Sequence, residues 1–452
     1  SANFFQMIIP LLLLATSALS LPHHQREANY RSLPADVGAP NGKMKLVFVN
    51  AVWRHGDRSP EQPLPGQGTD LFNEDDWKQG GGGYGELSPT GMIQQFTLGT
   101  RISKRYMQDF AFLTPRYRAN EIYIRSTDYN RTLISAYSNL AGMYSGTGQD
   151  GTDLPSGLDG WPVGWVPVPV HTVVNKYDYA GNPDADCKRK AQVKQLILDS
   201  DEFAAYNADP QVKATLDWLS SHSQSSVTAQ NAYWFQDTMM CESIHAVDLR
   251  GANADASKWY PWYFSGTVPD LTNSIVGRGL DFLDGLGNPL GVKGVDVSVE
   301  MPRMRAGETV GTIYDNFQGA LYCYKNPDSD SCRKFFQKRK YFAISAHDKT
   351  LAALLTLLGP KKYVVPVGYP AFAASTFIEL YVEEETGDEY FKVIYLATPS
   401  PDDDFKSVTN YVKGCPLTDE YCPLSVLRDI VDKYTPKPDM DTYCNTDVFD
   451  TA

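Results

Sequence analysis

Three strand-like segments of this chain each run without a break into a cluster of charged and polar residues. Residues 43–53 lead into RHGDRSP, residues 121–125 lead into STDYNRT, and residues 341–345 lead into His347 and Asp348. Helical patterns follow each cluster, and strands that alternate with helices predict an α/β fold. Ligands of such folds bind outside the carboxyl ends of the strands, so we expect the three clusters to meet at one crevice.

The residue types in these clusters are suited to phosphoryl transfer. Arginine side chains bind tetrahedral oxyanions through forked pairs of hydrogen bonds, and helix N-termini at the crevice also favour an anion. A histidine beside them can attack phosphorus and form a phosphohistidine. An aspartic acid across the site can protonate the leaving oxygen.

RHGDRSP, IRSTDYNRT and SAHD resemble the motifs of the histidine acid phosphatases of the prostatic and lysosomal type. The resemblance covers roughly residues 43–450 and includes GYGELSPTGMIQQ, WVPVPVHTV and CESIHAV. It implies a phosphoglycerate-mutase-like three-layer α/β sandwich, with a mostly parallel central sheet and a mostly helical inserted cap. The implied activity is acid hydrolysis of phosphate monoesters through a phosphohistidine, with neither a cofactor nor a metal.

The resemblance also implies roles for individual residues. His55 is the expected nucleophile and Asp348 the expected proton donor. The expected phosphate-binding residues are Arg54, Arg58, Arg125 and His347. We interpret Arg131 as support for its helix or for neighbouring residues, Asp57 as structural, and His245 as either structural or substrate-lining. Nearby arginines should lower the pKa of His55, and a bound phosphate dianion should raise that of Asp348, which predicts an optimum near pH ~5.

The N-terminus indicates the compartment. Residues 1–20 carry no charge and form an apolar run that ends in small residues, as a secretory signal peptide does. No later stretch reaches the ~18 apolar residues of a membrane span. We therefore expect a soluble protein that is secreted or extracellular, or that lies in a lysosomal-type lumen. We interpret residues 21–42 as a loose N-terminal arm. Residues 43–145 and 301–452 are predicted to form the catalytic domain, and residues 146–300 are predicted to form the cap.

Seven cysteines should pair in an oxidising compartment, and their number is odd. Cys323 and Cys332 flank a turn-rich segment and could pair locally. Cys415 and Cys422 bracket another short loop.

The family resemblance adds a long-range bridge. It implies that Cys187 pairs with Cys444 and that Cys415 pairs with Cys422. The residue that usually pairs with the equivalent of Cys241 is missing here. Cys241 therefore either pairs with Cys323 or Cys332, or stays free.

Charge and sequence context limit the partners. Lys plus Arg is 41 and Asp plus Glu is 54, a net charge of −13, which argues against nucleic-acid binding. Relatives of this type are often homodimers, so a homodimer is possible. Asn130 begins an Asn-Arg-Thr sequon and is the glycosylation candidate. Two other functions stay open, a phytase-like phosphatase and a secreted, non-catalytic binding protein on the same scaffold.

Overall fold

The computed structural model describes residues 30, 33, 35–36, 42–64, 73–251, 254–285, 291–334 and 338–450. The predicted signal peptide at residues 1–20 lies outside the described residues, as does most of the predicted arm at 21–42. Within the described ranges, no helix is both long enough and apolar enough to cross a membrane.

A single mixed sheet forms the centre of the molecule, with strand order β10-β8-β7-β1-β6-β2-β3 and β9 beside β8. Strands β1, β6, β2 and β3 pair in parallel, whereas β7, β8, β9 and β10 add an antiparallel half. The strands, including the separate pair β4 and β5, are β1 Met44–Arg54, β2 Ile122–Thr127, β3 Val170–Val173, β4 Gly291–Val292, β5 Val295–Asp296, β6 Tyr341–Ala346, β7 Ser375–Glu383, β8 Glu389–Leu396, β9 Lys406–Ser407 and β10 Cys422–Pro423.

Helices cover both faces of this sheet and build the cap. They are α1 Pro89–Ser103, α2 Asn130–Met143, α3 Lys188–Leu198, α4 Asp201–Ala208, α5 Pro210–Ser223, α6 Ala232–Arg250, α7 Ala256–Trp259, α8 Val268–Leu283, α9 Val297–Lys325, α10 Asp330–Arg333, α11 Asp348–Leu358, α12 Lys361–Val364, α13 Leu424–Tyr434 and α14 Met440–Asn445. A π-helical segment, Lys104–Asp109, continues α1.

Alternating side chains of β1 explain the three layers. Val49, Ala51 and Trp53 belong to a core shared with α1 and α2. Phe48 and Val52 face the opposite core, which includes residues of α9 and α11. Successive side chains of a strand point to opposite faces, so β1, which is apolar over most of its length, is buried on both faces. The predicted three-layer sandwich is confirmed.

The cap has its own core. Side chains from α4 to α6 and α8 pack together, among them Phe203, Leu219, Phe235 and Ile275. One part of the range predicted as cap, 146–300, lies elsewhere. Strand β3 pairs in parallel with β2 and completes the central sheet. The chain therefore returns to the sheet before it enters the helical part of the cap.

The described residues of the N-terminal arm are packed rather than loose. The Tyr30 ring lies edge-on to Tyr395, with ring centroids 5.8 Å apart. The side chain of Asp36 is buried, lies 2.6 Å from Arg105, and also contacts Lys392. These contacts hold Tyr30 and Asp36 against the antiparallel half of the sheet and the π-helical segment.

Three disulfides join six of the seven cysteines. They are Cys187–Cys444, Cys323–Cys332 and Cys415–Cys422. Both local pairings and the long-range one are therefore confirmed. The alternative that paired Cys241 with Cys323 or Cys332 is wrong, because those two residues bind each other. Among the described residues, which include all seven cysteines, Cys241 is buried and outside any disulfide.

Candidate active site

The strand ends meet, as the sequence predicted. Arg54 at the end of β1 is in register with Ala346 of β6, and Ser126 of β2 is in register with Ser345. The rings of His55 and His347, each just beyond its strand, have centroids 5.6 Å apart. One crevice therefore holds the polar residues of two distant motifs.

A close backbone contact positions the loop that carries His55. Helix α1 begins after Ser88, whose hydroxyl accepts a hydrogen bond from the Gly91 N–H at 3.0 Å. A Cβ on Gly56 would lie 2.3 Å from the Gly91 carbonyl oxygen, and a Cβ on Gly91 would lie 2.1 Å from that of Asp57. Only glycine fits at both positions, so the first turn of α1 can press directly against the loop.

His55 is held as a neutral imidazole in one tautomer. Its Nδ1 lies 2.8 Å from the Gly56 carbonyl oxygen. Because that oxygen can only accept, Nδ1 carries the proton and Nε2 keeps its lone pair. Burial, followed by the charges of Arg131, Arg54 and Arg58, lowers the pKa of His55 well below its ordinary value. The predicted direction of this shift is confirmed.

Asp348 and Arg54 form a buried ion pair. The Arg54 Nη2 lies 3.0 Å from the Asp348 carboxylate, and its Nη1 donates to the Pro370 carbonyl at 2.7 Å. The Phe372 ring lies 4.1 Å from the same guanidinium. Burial alone would raise the pKa of Asp348, but the charges of Arg54 and Lys349 outweigh it and lower that pKa.

His347 lies beside this pair at the N-terminus of α11. Its Nε2 is 3.0 Å from the Thr127 hydroxyl, at the end of β2. Burial, together with the charge of Arg131, lowers the pKa of His347 to about 3. His347 is thus neutral at any physiological pH and can donate or accept a hydrogen bond in the crevice.

Arg58 is paired with a residue that the sequence analysis missed. Its two terminal nitrogens each lie 3.0 Å from one carboxylate oxygen of Asp237 on α6, and both side chains are buried. Asp237, Cys241 and His245 are four residues apart along α6, and all three are buried. This i, i+4, i+8 spacing of polar residues could have indicated a helix face turned toward the site.

Arg125 and Arg131, from the same motif, lie in different surroundings. Arg125 lies inside β2, and its guanidinium pairs with the buried carboxylate of Asp178. Arg131 lies in the first turn of α2, almost wholly buried, and is the charge with the largest effect on the pKa of His55 and His347. Arg125 thus contacts Asp178, whereas the charge of Arg131 acts on both histidines of the crevice.

Comparisons with known proteins agree with this geometry. The family model for the "Histidine phosphatase superfamily (branch 2)" matches residues 45–396 of this chain. The chain belongs to this family. It is 30% identical over 407 residues to human prostatic acid phosphatase, covering 89% of this chain and 88% of the relative. It is also 30% identical over 380 residues to the lysosomal acid phosphatase of Xenopus laevis, covering 83% and 75%.

Solved structures show the same fold. The phytase of Hafnia alvei in its apo form superposes with a TM-score of 0.59 at 14% identity, covering 88% of this chain and 98% of that one. The expected histidine acid phosphatase family and its fold are therefore confirmed, and with them the assignment of this chain as a phosphatase.

In this histidine phosphatase, Asp57 and His245 connect the cap to the loop that carries His55. The Nε2 of His245 lies 2.6 Å from the Asp57 carboxylate, which also accepts a hydrogen bond from the Ser88 hydroxyl at 2.5 Å. Burial would lower the pKa of His245, but the hydrogen bond and charge of Asp57 outweigh it and raise that pKa. His245 is therefore a structural link between α6 and the RHGDRSP loop.

Proposed function

We propose that this protein is a secreted acid phosphatase that hydrolyses phosphate monoesters through a phosphohistidine on His55. One observation carries the proposal. The protonated Nδ1 of His55 faces the Gly56 carbonyl, which leaves the basic Nε2 available beside buried arginines. A neutral nucleophile beside fixed positive charge is what attack on a phosphate dianion requires.

In the first step Nε2 of His55 attacks phosphorus and forms a P–N bond. The P–O bond to the leaving group breaks, and Asp348 gives its proton to the departing oxygen. In the second step Asp348 takes a proton from water, whose oxygen attacks phosphorus and breaks the P–N bond. Inorganic phosphate leaves, and both residues return to their starting states.

The proposed acid optimum depends on proton uptake by Asp348. The ion pair with Arg54 holds its pKa below the ordinary value. A bound phosphate would engage Arg54 and place negative charge beside the carboxylate, and both changes raise the pKa of Asp348. Activity should therefore be greatest near pH ~5. A maximum above neutrality would contradict this mechanism.

We assign phosphate binding to Arg54, Arg58, Arg131 and His347. Arg131 replaces Arg125 in this set because its charge acts most strongly on both histidines of the crevice. Arg125 instead balances the buried carboxylate of Asp178. Guanidinium groups from β1, its following loop and α2 would then surround the phosphate from several directions.

Rapid acid quenching during turnover tests the mechanism. A 32P-labelled monoester should leave an acid-labile phosphoenzyme in the wild type, and His55→Ala should abolish it. Asp348→Ala serves as a control that slows transfer from poor leaving groups while keeping the nucleophile. A wild type that turns over without any labelled intermediate would refute the phosphohistidine.

A phytase-like preference is the second candidate, favoured by the fold shared with phytases. Phytate carries many negative charges, whereas the crevice of this protein contains the carboxylate of Asp237 beside Arg58. We therefore expect a small aryl phosphate to be hydrolysed with a higher kcat/KM than phytate. A non-catalytic binding role would instead predict that His55→Ala keeps the full biological effect.

Secretion, glycosylation and dimerisation complete the proposal. The three disulfides favour an oxidising compartment. Asn130 is exposed and donates a hydrogen bond to Glu86 at 3.0 Å, next to the buried Arg131, so a glycan there would stand at the crevice. Strand β3 lies at the end of the sheet order and offers an edge to a second copy. Light scattering of the purified protein, before and after glycosidase treatment, tests both features.

A further inference from the structure

Glu61 touches two of the arginines that we assign to phosphate. One of its carboxylate oxygens lies 2.8 Å from the Nη2 of Arg131 and 3.3 Å from the Nη2 of Arg58. The Glu61 side chain is 26% exposed, whereas those of Arg58 and Arg131 are 1% and 12% exposed. A partly solvated carboxylate thus bridges the buried guanidinium group of Arg58 and the mostly buried one of Arg131.

Glu61 contacts Arg58 differently from Asp237, the other carboxylate paired with this arginine. Asp237 is buried, and each of its two carboxylate oxygens accepts a hydrogen bond from one terminal nitrogen of Arg58 at 3.0 Å, as expected of a fixed counter-charge. Glu61 bridges the two arginines through a single oxygen. Its backbone N–H is separately held by Asp237 at 3.3 Å. The Glu61 side chain can therefore move away while its backbone stays in place.

We propose that Glu61 is a positioning residue that competes with phosphate for Arg58 and Arg131. This inference rests on the proposed function, because it assumes that these arginines bind the phosphate group. The Glu61 carboxylate holds the two guanidinium groups near each other before substrate binds. A phosphate dianion must then displace or repel a negative charge, which weakens its binding.

The consequence for turnover concerns product release. Binding that is equally strong for substrate, transition state and product lowers KM but does not raise kcat. A charge that opposes every phosphate group in the crevice weakens the product as well as the substrate. Glu61 would thereby keep inorganic phosphate from occupying the site after each cycle.

Glu61→Gln tests the inference, because it removes the charge and keeps the shape. We expect the inhibition constant for inorganic phosphate to fall about 3- to 30-fold, with KM for p-nitrophenyl phosphate falling in parallel and kcat unchanged or lower. Titration calorimetry with inorganic phosphate gives the same comparison without catalysis. Unchanged or weaker phosphate binding would overturn the inference, since a purely structural brace would raise KM when lost.

Two further variants separate charge from shape. Glu86→Gln is the matched control, since the Glu86 carboxylate accepts a hydrogen bond from Asn130, next in sequence to Arg131. Its phosphate inhibition constant should stay within about 2-fold of the wild type. If Glu61→Gln does not fold, Glu61→Ala is measured in the same way and is read by the same criteria.

The proposed function and this inference fail differently. A wild-type protein that neither hydrolyses monoesters nor binds phosphate refutes the proposed function. A wild-type protein that does both, together with a Glu61→Gln variant that binds phosphate no more tightly, refutes only the role of Glu61.

Discussion

The strand ends and the cap helix α6 give the crevice two different kinds of residue. The strand ends carry the groups that we propose to react, His55 and Asp348, and each belongs to a short motif. Helix α6 carries Asp237 for Arg58 and His245 for Asp57, across sequence separations of 179 and 188 residues. Substitutions at the strand ends should therefore change the chemistry, and substitutions on α6 should change stability.

The largest effect is expected at the nucleophile. His55→Ala should reduce kcat by at least roughly 10^3-fold, because it removes the group that we propose to form the covalent intermediate. Steady-state assays at pH ~5 measure the loss, and circular dichroism checks that the fold is kept. If His55→Ala kept more than a tenth of the wild-type activity, the result would contradict the chemical role that we assign to the strand ends.

The next effect depends on the leaving group. Asp348→Asn should reduce kcat by about 10^2- to 10^4-fold for an alkyl phosphate, whose alkoxide needs a proton. The loss should be much smaller for p-nitrophenyl phosphate, whose phenolate leaves without one. Equal losses for both substrates would show that Asp348 holds Arg54 in place rather than donating a proton.

Arg131 and Arg125 provide a matched pair from one motif. Arg131→Ala should lower kcat/KM by about 10- to 100-fold, the value of a charge-assisted hydrogen bond to the phosphate. Arg125→Ala should keep kcat/KM within about 3-fold of the wild-type value. It should lower the melting temperature instead, because it leaves the buried carboxylate of Asp178 without the charge of Arg125. The reverse result would restore the assignment made from the sequence.

The sequence predicted the parts of the site that are local. The strand-to-helix motifs predicted that His55, Arg54 and Asp348 share one crevice, and the structure brings them together because strand, turn and helix are adjacent in the chain. It could not predict Asp237 as the partner of Arg58, since that pairing depends on how the cap packs. It also could not decide between Arg125 and Arg131, because spacing within a motif does not show which of the two side chains lies near the histidines.

Asp237→Asn should act on stability more than on chemistry. It weakens the two-pronged contact with buried Arg58, and the free energy of unfolding should fall by about 1.5–3 kcal/mol. Chemical denaturation measures the change, with kcat of the folded protein expected to stay within roughly tenfold. A kcat loss as large as that of His55→Ala would erase the distinction between α6 and the strand ends.

The smallest effect is a pH dependence of stability at His245. Its pKa is raised above the ordinary value of 6.5 in the folded protein. Its contribution is thus complete below pH 6.5 and is lost as the pH rises through the folded-state pKa. His245→Gln should make the melting temperature less dependent on pH above pH 6.5. At acidic pH it should lower the free energy of unfolding by about 0.5–1.5 kcal/mol. His222→Gln on α5 is the control, and an unchanged pH profile in His245→Gln would contradict the link.

The buried contacts of Tyr30 and Asp36 have a practical consequence for making this protein. Asp36 neutralises Arg105 and Lys392, two buried cations that also neighbour Glu379 in the middle of β7. A chain expressed from β1 onward would lack the Asp36 carboxylate, so that Arg105 and Lys392 would stay buried with one counter-ion fewer. Recombinant chains, affinity tags and protease sites should therefore be placed ahead of Tyr30, although the catalytic motifs begin only at Arg54.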